Sequence, residues 1–109
     1  MIVSANSEEI RRALAKILES RTFEKSSRAR DLLAYIVEQD LDGNSASVKG
    51  FSIAVDVFGR DESFDATSDP LVRVHAGRLR ELIASYYEDE GRDDPLRITV
   101  PLGGYRPVY

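Results

Sequence analysis

Four residues in the stretch DPLVRVHAGRLRELIASYYE have types and spacing suited to reading DNA. On a helical wheel Arg73, Val74, Gly77 and Arg78 share a face with Pro70 and Glu81. An arginine donates two hydrogen bonds to N7 and O6 of guanine, and a small apolar side chain packs on a thymine methyl. Gly77 costs about 1 kcal/mol against alanine in a helix, so its place on an exposed face suits close approach of another surface. His75 and Arg80 fall on the two flanks, where phosphate contacts are expected. Arg28, Lys49 and Arg106 are further cations placed to help hold a backbone.

Catalytic chemistry has weaker candidates. The carboxylates Asp61, Asp65 and Asp69 lack calcium-loop spacing, and no nucleophile–base pair accompanies them. Asp69 reads better as a helix cap before Pro70. The chain has no cysteine and 1 histidine, which removes disulfides and thiolate metal sites and argues against a histidine cluster. No enzyme activity, metal or cofactor is expected.

The elements that must position these residues follow from periodicity. The 109-residue length fits one domain, 1–109, and the 42% hydrophobic content predicts a packed core. Asn6 and Glu9 mark a helix start, and Ile10, Leu14, Ile17 and Leu18 carry it over 7–20. A second helix over 28–41 carries Leu32, Leu33, Ile36 and Val37, with Gly43 as its stop. Residues 48–58 satisfy both a strand alternation (Phe51, Ile53, Val55, Val57) and a helical face (Phe51, Ala54, Val55, Phe58). Phe64 is the one large apolar anchor of the polar loop that follows. Helix 70–88 buries Val72, Ala76, Leu79, Ile83 and Tyr86. LRITV, PLGG and YRPVY then read as strand, turn and strand over 96–109.

LVRVHAGRLRELI resembles the recognition helix of OmpR/PhoB-type winged-helix domains, in its Val72, Val74, His75, Arg78, Leu79 and Arg80. ITVPLGGYRPVY resembles that family's wing, LLAYIVEQ its first helix and VKGFSIAVDVFG its second. Over nearly the whole chain, motifs such as VFGR, RLR, YY and GRDDP are similar to an uncharacterised bacterial domain. That domain stands at the N-terminus of tetratricopeptide-repeat and adenylate-cyclase-like proteins. The resemblance implies an α+β winged helix-turn-helix with three to four helices, a helical body over 28–90 and a C-terminal β-hairpin wing. It also makes 48–58 a helix. Where the OmpR/PhoB family has an N-terminal sheet, this chain opens with a helix, a candidate support or homodimer surface.

The function so implied is sequence-specific double-stranded DNA binding by a transcriptional regulator in the bacterial cytoplasm. RNA polymerase or another protein is a further candidate partner. No apolar run is long enough to span a membrane. The net charge of −4 argues the other way, toward a protein-interaction module on the same frame. Local charge decides at contact range, though. Positive charge gathers at Arg21, Lys25, Arg28 and Arg30 and again at Arg73, Arg78 and Arg80.

Overall fold

The computed structural model describes residues 6–109. Four helices follow in chain order: α1 (Ser7–Leu18), α2 (Ser27–Leu41), α3 (Gly50–Asp56) and α4 (Leu71–Glu88), with a 3-10 turn at Ser45–Ser47. Local chemistry explains their ends. Asn6 Oδ1 accepts from the amide of Glu9 at 2.8 Å, which satisfies an otherwise orphaned donor of α1. Asp69 Oδ1 accepts from the amide of Leu71 at 3.0 Å and starts α4. Gly43, just past α2, has φ +80°, a backbone that L side chains rarely adopt. Gly91 closes the turn after α4 against the Tyr86 ring, where a Cβ would lie 2.2 Å from a ring carbon.

The amphipathic stripes bury as their spacing requires. Ile10, Leu14 and Ile17 of α1 meet Leu32, Leu33, Ile36 and Val37 of α2, and α2 packs along α4. Val72, Ala76, Leu79, Ile83 and Tyr86 face inward, joined by Tyr87. The 48–58 segment is a helix at its centre, as the family resemblance implies. The buried residues of α3 are Ile53 and Ala54, with Val48 buried just ahead of it, whereas Phe51 is exposed. Neither alternation nor a simple helical face describes that short element. Phe64 is buried and anchors the loop ahead of α4.

The expected β-hairpin does not form. Among the described residues there is no sheet, so the fold is all-helical and the α+β winged-helix expectation is overturned. The segment 96–109 does fold back on itself, through a single antiparallel bridge between Thr99 and Val108. Their amides and carbonyls exchange hydrogen bonds of 2.9 and 2.8 Å. In that register the next hydrogen-bonded pair would be 101 with 106, and Pro101 has no N–H to donate. Side chains of α4 take four other backbone groups of the segment. The Ile98 amide donates to the Tyr87 hydroxyl at 2.6 Å, and Arg80 captures three nearby carbonyls. Ile98 and Val100 are still buried, so the segment is a lid on the helical core rather than a projecting ribbon.

Candidate nucleic-acid interface

The outward face of α4 carries Val74, which is 62% exposed, beside the exposed Arg73, Arg78 and Glu81. Leu79 and Ile83 on the opposite side fix this orientation by being buried. Each flank of the helix has its own environment.

On the first flank, His75 stacks on Phe58 with ring centroids 4.6 Å apart and an interplanar angle of 26°. Arg28, in the first turn of α2, lies with its guanidinium carbon 5.7 Å from the centroid of the same Phe58 ring. Arg78 follows His75 by three positions, one helical turn on. Burial holds His75 below the ordinary imidazole range, and the charges of Arg28 and Arg78 push it the same way. Three groups that are far apart in sequence thus converge on one flank of α4. Among the described residues no carboxylate lies within ion-pair distance of Arg28, Arg73 or Arg78. The ion pairs lie elsewhere, as Arg11–Glu38, Arg12–Glu8, Lys16–Asp94 and Arg60–Asp69.

The second flank faces the C-terminal segment. Arg80 Nε donates to the carbonyl of Val100 at 2.8 Å, and Nη2 donates to Pro101 and Gly104 at 3.4 and 2.8 Å. Arg80 is therefore a clamp, which explains its half-buried place better than a phosphate contact does. Arg80→Ala should loosen residues 97–106 while leaving the helices in place. Limited trypsin digestion reads this directly: cleavage after Arg97 should accelerate over wild type with unchanged far-UV circular dichroism. Gly77 lies on this flank too, and a Cβ there would meet no atom within 4 Å, so packing inside the chain does not require glycine. Arg73 lies between face and flank, its Nη1 donating to the carbonyl of Ala66 at 3.1 Å.

Other residues expected at the interface stand apart. Lys49 is exposed ahead of α3, where its amide donates to Ser52 Oγ at 2.9 Å. Arg106 is exposed in the C-terminal segment. Among the described residues neither shares a hydrogen bond or ion pair with α4. The carboxylates weighed for catalysis are engaged locally. Asp61 accepts from the amide and hydroxyl of Ser63, Asp65 does the same with Thr67, and Asp69 holds Arg60 and the start of α4. Among the described residues no group of acids and histidine is placed to hold a metal ion.

The sequence reading missed Glu90. Its carboxylate accepts from the amides of Arg21 and Thr22 at 3.0 and 2.8 Å and from the Thr22 hydroxyl at 2.6 Å. The Thr22 hydroxyl and then the two amides hold Glu90 below the usual carboxylate range. Nothing in local sequence links positions 22 and 90. Asp61 and Asp65 are lowered in the same way, chiefly by the Ser63 and Thr67 hydroxyls. A group whose folded pKa is depressed favours protonation of the unfolded chain, so all four groups act in one direction. The melting temperature should begin to fall as pH drops below about 6.5, where unfolded histidine takes up a proton. It should fall further below about 4.3, where unfolded carboxylates protonate. His75→Gln should remove the first step and keep the second, as a pH series of thermal melts would show.

No protein-family profile, no curated protein and no solved structure matches this chain. Among the described residues no helix is long and apolar enough to cross a membrane.

Proposed function

We propose that this chain binds double-stranded DNA by laying the N-terminal half of α4 in the major groove, as a transcriptional regulator in the bacterial cytoplasm. The observation that carries the reading is the convergence of Arg28 and Arg78 on His75, with no carboxylate within ion-pair distance of either arginine among the described residues. Like charges held near one another are unfavourable alone and become favourable against the polyanionic surface of a duplex. Arg78 and Val74 then face base edges, Arg73 lies at the groove wall, and Arg28 takes the backbone. The likeness of LVRVHAGRLRELI to an OmpR/PhoB recognition helix points the same way. Glu81 opposes it, as one acid on a face with two arginines. The reading needs no wing, because the groups it uses come from α2 and α4.

Fluorescence anisotropy with labelled random duplex in low salt tests it. Wild type should bind, and the Arg28→Ala/Arg78→Ala double variant should lose binding while melting like wild type. Absence of binding by wild type would move the reading to a protein-interaction module.

A further inference from the structure

The second flank of α4 and the C-terminal segment enclose an open groove of about 660 Å³. One wall is α4 and the other is the segment from Arg97 to Leu102, running antiparallel to the helix. Hydrogen bonds fix their levels: Tyr87 meets Ile98, and Arg80 meets Val100 and Pro101. The floor is apolar. Small residues lower the helix wall, with Gly77 open to solvent and Ala84 two turns on. Leu102 stands at the rim of the other wall, 85% exposed, more than any other large hydrophobic residue described. The far end carries opposite charges, Glu88 on the helix wall and Arg97 on the segment wall. Arg97 is steadied there, its guanidinium carbon 5.0 Å from the Tyr87 ring centroid.

We propose that this groove docks a second copy of the chain about a two-fold axis running along its length. Such an axis lays each helix wall against the other copy's segment wall at the same level. Leu102 of one copy then covers the open side of Gly77 in the other. Glu88 of one copy faces Arg97 of the other, and the symmetry makes each contact twice. The occupant is a second copy because the groove carries both halves of each contact: knob and open wall, acid and base. A groove for a foreign partner has no need to display its own complement. The docked surface lies across α4 from Arg28, His75 and Arg78, so the proposal stands whether or not the chain binds DNA.

Sedimentation equilibrium over a range of concentrations tests it. Wild type should dimerise. Glu88→Arg and Arg97→Glu should each weaken the dimer by more than about tenfold, because each places like charges together at two sites. An equimolar mixture of the two variants should recover it, since each pair across the axis is again acid against base. Pairing within one chain predicts no such recovery. Leu102→Asp, at an exposed position, should give a folded monomer by circular dichroism. The proposal is overturned by a wild type that stays monomeric, by single variants that dimerise normally through another surface such as α1, or by a mixture that fails to recover.

Discussion

Replacing Phe23 with alanine should lower the unfolding free energy by about 3–5 kcal/mol, the usual range for emptying a large aromatic core site. Phe23 is fully buried, although it lies in the short turn between α1 and α2. How much a truncation costs depends on whether the surroundings can collapse into the space. Here the turn is pinned on both sides of the ring. The Phe23 amide donates to Ser20 Oγ at 3.3 Å, and Ser20 Oγ donates to the Ile17 carbonyl at 2.6 Å. The Phe23 carbonyl accepts from the Ser26 amide at 3.1 Å, and Glu90 holds the preceding two residues. With the backbone fixed, the cavity should stay open. A small domain has only about 5–15 kcal/mol in all, so the urea midpoint should fall by about a fifth or more. Phe51→Ala is the matching control, because that ring is 45% exposed and its loss should cost under about 1 kcal/mol. Equal midpoints for Phe23→Ala and wild type would remove Phe23 from the core.

Phe23 also shows where sequence reasoning stops. The stripes of α1, α2 and α4 are legible because each residue repeats a spacing set by 3.6 residues per turn. An isolated aromatic in the eight-residue connection 19–26 has no period, so only tertiary contact reveals it. Glu90 fails for a related reason: its partners lie 68 and 69 positions away. The hairpin was misread for a different cause. Alternation and a glycine-rich turn over 96–109 are real signals, yet they do not register competition from other elements. Arg80 takes the Pro101 and Gly104 carbonyls, and Pro101 has no N–H with which to continue the ladder. The same competition turned Arg80 from an expected phosphate ligand into a clamp. On the α4 face, residue type and wheel position placed Arg73, Val74 and Arg78 outward without tertiary knowledge. The approach of Arg28 to His75 needed Phe58 between helices, which no spacing rule supplies.

Duplex affinity should fall steeply with salt despite the −4 net charge. Charges beyond a Debye length of about 8–10 Å are largely screened, so the acids of the 88–94 run count little at the contact. Each phosphate neutralised adds about −0.9 to the slope of log K against log salt. Arg28, Arg73 and one or two neighbouring cations on the backbone predict a slope of roughly −2 to −4. Arg28→Ala should make that slope shallower by about one and weaken binding to every sequence alike. Arg78→Ala should act differently. Its side chain is exposed, off the buried stripe of Leu79 and Ile83, so the fold should melt as wild type does. A bidentate arginine–guanine contact is worth about 1–3 kcal/mol of discrimination, or roughly 5- to 150-fold between the preferred site and random DNA. That gap should narrow by this factor when the preferred site, selected from a random duplex library, is titrated against a scrambled one. The two substitutions therefore separate the two roles: one changes the salt slope and the other changes the specificity ratio. If Arg78→Ala instead lowers affinity for both duplexes equally and leaves their ratio intact, Arg78 holds phosphate, and base reading must come from Arg73 and Val74 alone.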